Sequence, residues 1–341
     1  MNLKNVEFYN VGGIEKVPGL GDNCFMRIPE KVRNHLNDRA RFVGMDSIGC
    51  EVRFVCPSPN IDIIVACSRP ELTEKGEIRV FKGNFLHQLL PVEPGRVHNF
   101  RISPPDSFKA TSSKAINEGG FSSDVWRLVF NRGATFCLHG IDPHGYAIRP
   151  PKAAEKPKFN WLAYGSSITN SNLDGYPHFA ARKLRVQVQN KGLGGACHIE
   201  KEMVDFLVDG CKWDFATCEL GINMRGGFTP EDFRKRAAYL IDRFTETGKP
   251  VMIIGLFPNC RTPGFTDKSD LSTEREDAFN KILAELVKKK KAANLHFIPG
   301  SQILDDFTGL TGDLLHPSSY GYAIMGTNLA ERIGKIVISK Q

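Results

Sequence analysis

The sequence predicts an antiparallel β-sandwich of the jelly-roll type followed by an α/β unit with a doubly wound, parallel, five-stranded sheet. Three observations carry this expectation. The first 148 residues hold short strand-like runs separated by Pro, Gly and Asp turns. Residues 149–158, "RPPKAAEKPK", gather three prolines and four cationic side chains without apolar periodicity, and read as a linker. From residue 159 short apolar runs alternate with helical ones, the pattern of parallel strands covered on both faces. The expected divisions are 1–148, 149–158 and 159–341.

In the first part, strands are expected at "CEVRFVC" (50–56), "IDIIVAC" (61–67), "EIRVFKG" (77–83) and "VHNFRI" (97–102), with a helix near 29–38. "WRLVF" and "ATFCLHGI" flank Asn131-Arg132-Gly133, a hairpin signal. In the second part the strands are "FNWLAYG" (159–165), "VQVQN" (186–190), "WDFATCEL" (213–220), "VMIIGLF" (251–257) and "LHFI" (295–298). One helix starts at Thr229-Pro230 and stops at Gly248. Another starts at Thr273, with Glu276 completing a capping box, and a last one follows Pro317.

Composition excludes several classes. With 41% hydrophobic and 24% charged residues the chain is an ordinary globular protein, and 341 residues suit two domains. No apolar run approaches the ~20 residues of a membrane span, so no membrane partner is expected. "MNLKNVEFYNVGG" has no secretory pattern, which points to the cytoplasm. The nine cysteines form no C-x-x-C pair and several sit in apolar runs, suiting buried thiols better than disulfides or zinc. A net charge of +7 is mild, and the run Lys288–Lys291 closes a helix, where cations meet the negative end of its dipole. Nucleic acid is therefore not an expected partner.

Doubly wound sheets bind ligands at the carboxyl ends of their strands, so polar or glycine-rich loops should follow those strands. Strand one ends in Gly165-Ser166-Ser167-Ile168-Thr169, strand two in "NKGLGGA" (190–196), and strand three in Gly221-Ile222-Asn223-Met224. Beyond strand five, "GDLLHPSSYG" carries Asp313 and His316. These residue types suit acyl transfer. A serine needs a base within hydrogen-bond reach, and His316 has a carboxylate three residues before it. The oxyanion formed on attack needs preset donors. The Ser167 N–H at a helix start, the Gly195 N–H and the Asn223 amide are candidates, glycine letting the backbone approach the substrate.

The four loops resemble the four blocks of the SGNH hydrolases, the GDSL-type esterase and lipase superfamily. "GSSIT" matches the first block and gives the nucleophile Ser167; "NKGLGGA" gives Gly195; "GIN" gives Asn223; "DLLHP" gives Asp313 and His316. The match runs in block order over 159–340, and the family's sheet is flavodoxin-like. It implies a catalytic triad of Ser167, Asp313 and His316 and an oxyanion hole of Ser167, Gly195 and Asn223. The "GSSIT" form behind a β-domain is similar to a subgroup regarded as esterases of acylated sugars. Ser166 and Met224 stand where the family usually has aspartates, and both are candidate pocket residues.

Other readings carry less weight. "GLGG" with Glu219 ending the next strand could suggest a dinucleotide site, but the third small position falls on Cys197. His139, Asp142 and His144 could suggest a metal, yet no fourth ligand is apparent, and a polar turn is favoured. His144 is a candidate for shaping the acceptor pocket, as is His178; His198 follows a catalytic block in the same way. The expectation is a serine esterase without metal or cofactor, acting on short-chain esters of small molecules, acetyl esters foremost and acylated sugars among them. The alternatives are an acyltransferase using the same site and a carbohydrate-binding protein with a relic site.

Overall fold

The computed structural model describes residues 3–71, 73–267 and 270–338. The chain divides into two compact units: residues 1–30 with 42–158, and residues 31–41 with 159–341.

The first unit holds ten strands: β1 (Glu7–Tyr9), β2 (Gly13–Val17), β3 (Gly21–Met26), β4 (Glu51–Val55), β5 (Ile61–Cys67), β6 (Gly76–Lys82), β7 (Phe85–Val92), β8 (His98–Ile102), β9 (Val125–Asn131) and β10 (Phe136–Asp142). They form two antiparallel five-stranded sheets, in the orders β1-β4-β9-β6-β7 and β2-β3-β10-β5-β8. Alternating side chains from both sheets, such as Val52, Phe54, Ile78 and Val80 from one and Ile61, Ile63, Val65 and Leu138 from the other, meet in one buried cluster. That is the core of a β-sandwich. The turn at Asn131-Arg132-Gly133 corrects the hairpin expectation. Arg132 and Gly133 take positive φ as such a turn requires, but β9 and β10 join different sheets, so the turn is a corner between layers. Both flanking strands are buried on both sides of the turn, and periodicity alone cannot tell a corner from a hairpin.

The helix expected near 29–38 is two short ones, Glu30–Arg33 and Asp38–Val43. Residues 149–158 lie within the first unit. Arg149 exchanges backbone hydrogen bonds with Val55, and its guanidinium grips Glu155 through two bonds of 2.8 and 2.7 Å.

The second unit carries β11 (Asn160–Tyr164), β12 (Gln187–Asn190), β13 (Phe215–Glu219), β14 (Val251–Ile254) and β15 (Leu295–Ile298). All neighbours pair in parallel, in the order β12-β11-β13-β14-β15, which is a flavodoxin-like doubly wound sheet. The strands are buried almost throughout, which explains their unalternating sequences. The strand order reverses at β11, so the loops after β11 and β13 flank the crevice where such folds hold ligands.

The helices mostly start where their caps were read. Thr229 and Asp232 form a reciprocal capping box on Pro230–Thr245. The helix expected from Thr273 instead runs Leu271–Lys290 with Asp270 as its cap. Thr273 is held inside its first turn by Asp270, and Glu276 turns inward, buried, against Arg225 and Asn259. Lysines close that helix as expected. Seven of the nine cysteines are buried, and among the described residues all nine are free thiols. Among the described residues no helix is long and apolar enough to cross a membrane.

Candidate active site

β11 drives an apolar run into Gly165, and the chain turns at once into the short helix Ser167–Asn170. The turn is too tight for any other residue at 165: a Cβ there would collide with the Thr169 hydroxyl and the Glu219 carboxylate. Ser166 is the helix cap. Its hydroxyl accepts the Ile168 N–H at 3.2 Å, and its own N–H donates to Glu219 Oε2 at 2.7 Å. Ser166 is fully buried by these contacts and does not line a pocket. Ser167, the next residue, is left half-buried at the strand's carboxyl end.

Ser167 Oγ lies 2.9 Å from His316 Nε2, and His316 Nδ1 lies 2.6 Å from Asp313 Oδ2. The network assigns the ring proton to Nδ1, donated to the carboxylate, and leaves Nε2 to accept from the serine. The second oxygen, Asp313 Oδ1, accepts the N–H groups of Leu315 and His316 at 2.9 Å each and the Thr311 hydroxyl at 2.8 Å. Partial burial pushes the Asp313 carboxyl up. The ring and N–H of His316, the Leu315 N–H and the Thr311 hydroxyl outweigh that and hold it well below the usual carboxylate range. Thr311 also donates its backbone N–H to the His316 carbonyl at 2.8 Å, pinning the loop. The imidazole is 39% exposed, so solvent reaches the base.

The glycine loop after β12 packs on the turn that carries Ser167. Leu193 N–H donates to the Gly165 carbonyl at 2.8 Å, and Asn190 donates its amide to the Thr169 carbonyl at 2.6 Å. Gly192 passes so close to the Asn170 backbone that a side chain would not fit. Gly195 has φ +71°, left-handed backbone that favours glycine, and it is exposed at the rim. Asn223, in the turn after β13, accepts the Cys197 N–H on Oδ1 at 3.1 Å. That bond uses Oδ1 and leaves the NH₂ as the amide's donor.

Glu219, the last residue of β13, is a group whose role the sequence did not disclose. It is 1% exposed and holds both the Ser166 N–H and, at 3.1 Å, the Thr169 hydroxyl on either side of Ser167. Its adjacency follows from β11 and β13 being neighbouring strands, and the only sequence signal was an acid ending an apolar run. Burial pushes its carboxyl up, against the lowering pull of Ser166 and Thr169. A folded-state value above the unfolded one means that stability falls as pH rises from the ordinary carboxylate range through the raised value. Glu219→Gln cannot titrate, so its melting temperature should gain on the wild type between acidic and neutral pH. A gap independent of pH would contradict this.

Met224 is fully buried, and its backbone forms the turn with Gly221, so it belongs to the core and not to a pocket. His178 lies half-buried on the helix Tyr176–Leu184. The His198 ring packs on Phe228 at 5.0 Å, and its carbonyl accepts from Arg236. His144 belongs to the first unit, where its Nε2 meets Asp62 at 3.3 Å, with positive φ after the Asp142 turn. Among the described residues no three His, Cys, Asp or Glu side chains cluster as metal ligands.

Residues 163–324 match the GDSL-like lipase/acylhydrolase family. A search of curated protein sequences finds no match. Among solved structures, the salicylyl-acyltransferase SsfX3 of a tetracycline biosynthetic pathway shares the fold over 98% of this chain and 95% of its own, at 13% identity and TM-score 0.80. A protein described as a GDSL-like lipase from Bacteroides ovatus shares it over 98% of both chains, at 17% identity and TM-score 0.68. A family two carbohydrate esterase from Clostridium thermocellum covers 85% of this chain and 93% of its own, at 14% identity and TM-score 0.58. These likenesses establish the two-part architecture, and the family match, laid over the same loops that bring Ser167, His316 and Asp313 together, identifies residues 163–324 as a GDSL-like lipase/acylhydrolase domain of the SGNH type.

Proposed function

We propose that the chain is a serine esterase that hydrolyses short-chain esters, acetyl esters of sugars foremost, through an acyl-Ser167 intermediate. The observation that carries the reading is the hydrogen-bonded chain from Ser167 through His316 to Asp313. His316 takes the Ser167 proton as Oγ attacks the ester carbonyl, and Asp313 stabilises the imidazolium that forms. The Ser167 N–H, the Gly195 N–H and the Asn223 amide bind the oxyanion. His316 then returns the proton to the leaving alcohol, and water repeats the sequence to release the acid. No metal or cofactor has a part in these steps.

The exposure of the imidazole favours water as acceptor, since solvent has direct access to the acyl-enzyme. The sugar preference rests on the family resemblance and on the carbohydrate esterases that share the fold. The same acyl-enzyme could instead pass its acyl group to an alcohol, the chemistry named for SsfX3. A panel of acetylated sugars and chromogenic esters of rising chain length, with and without an added alcohol, separates the readings. Hydrolysis fastest on acetyl esters is expected. Transfer to the alcohol outrunning hydrolysis would favour the acyltransferase, and no turnover of any ester would favour a carbohydrate-binding protein with a relic site.

A further inference from the structure

Residues 31–41 come from the first eighth of the sequence, yet they belong to the second unit. Two of their side chains bond to the glycine loop. Arg39 Nε donates to the Gly194 carbonyl at 3.2 Å, and the guanidinium lies so near that a Cβ on Gly195 would sit 3.8 Å from Nε. Asn37 Nδ2 donates to the Ala196 carbonyl at 3.1 Å and to Glu200 at 2.5 Å. Asn37 Oδ1 in turn accepts the Ala40 N–H at 2.9 Å, which fixes the amide's orientation.

The two carbonyls matter because of what shares their peptide planes. Among the described residues every peptide bond is trans, so the C=O of one residue and the N–H of the next point in opposite directions across a rigid plane. The Gly194 carbonyl shares its plane with the Gly195 N–H. A guanidinium holding that oxygen from behind aims the N–H the other way, and its charge polarises the amide. The Ala196 carbonyl shares its plane with the Cys197 N–H, which donates to Asn223 Oδ1 and so fixes the orientation of that amide.

We propose that Arg39 and Asn37 are positioning residues that preset the oxyanion donors: Arg39 acts through the 194–195 peptide on Gly195, and Asn37 acts through the 196–197 peptide on Asn223. The assignment rests on the esterase reading, in which those two groups bind the oxyanion. A preset donor contributes only where charge develops, so its loss lowers kcat and leaves substrate affinity alone.

Arg39 is exposed, and its replacement leaves the core untouched. Arg39→Ala should lower kcat on 4-nitrophenyl acetate by about 10-fold or more with KM nearly unchanged, less than the 10²–10³ for removing a donor outright. Added guanidinium ion should restore part of the loss, and Arg39→Lys should fall between. Asn37→Ser, which keeps a good helix cap but cannot reach the Ala196 carbonyl, should also lose kcat with its melting temperature maintained. A kcat within two-fold of wild type in Arg39→Ala, or a loss confined to KM that neither guanidinium nor lysine relieves, would overturn the proposal. A fluorophosphonate separates this from failure of the esterase reading. Wild type and Arg39→Ala should both carry the adduct on Ser167 after long exposure. An unlabelled wild type sinks the esterase reading, whereas a labelled Arg39→Ala with undiminished kcat sinks only the positioning role.

Discussion

Ser167→Ala is expected to lower kcat on an acetyl ester by about 10⁵-fold, with the melting temperature within a few degrees of wild type. The size follows from the loss of the covalent route: without Oγ, His316 has no proton to accept, and only oxyanion binding remains to accelerate attack by water. The fold should survive because the hydroxyl's contact is with His316 alone among the site's hydrogen bonds, while the cap of the helix is the neighbouring Ser166. Steady-state kinetics with a calorimetric melt checks both halves. Exchanging the two serines sharpens the test. Ser166→Ala removes the cap and should cost roughly 1 kcal/mol of stability, with a far smaller loss of turnover.

Asn223→Ala is the second large effect, an expected drop of about 10²–10³ in kcat with KM little changed. Its amide would stabilise charge that exists only after attack, which is why binding of the ground-state ester should not register its loss. Asn223→Asp should be as damaging or worse, because a carboxylate cannot donate and would oppose the oxyanion directly. The Cys197 N–H would still find an acceptor in that variant, so a large loss in Asn223→Asp would come from the missing donor and the added charge. A variant losing KM and not kcat would place Asn223 on the substrate's resting form instead.

The sheet of the second unit was legible because parallel strands buried on both faces must read as short unbroken apolar runs, as 160–164 and 251–254 do. The loops that carry Ser167, Gly195, Asn223 and His316 were legible for a related reason: polar and glycine residues have one place to go at the ends of such strands. What escaped were contacts that depend on pairing between distant segments. Strand register puts Glu219 behind Gly165, and no spacing in the sequence encodes that. Arg39 reaches Gly194 across 155 positions, from a stretch that reads only as part of a short helix. Likewise the Asn131-Arg132-Gly133 turn has the composition of a hairpin, and only the sheet partners of β9 and β10 reveal a corner.

Ser166 illustrates what geometry adds to pattern. As a departure from the family's first block it reads in the sequence as a candidate pocket residue. In the fold its hydroxyl caps the helix Ser167–Asn170 and its N–H binds the buried Glu219, so two polar groups that a tight turn would otherwise strand are both satisfied. Ser166 thus belongs to the scaffold, while Ser167 faces His316.

The central claim is that Ser167 is a nucleophile activated by His316 and Asp313. The most direct test is reaction with a serine-directed fluorophosphonate followed by peptide mass mapping. One adduct per chain is expected, located on Ser167, absent from Ser167→Ala and greatly slowed in His316→Ala. No adduct on the wild type, or an adduct that persists in Ser167→Ala, would contradict the account.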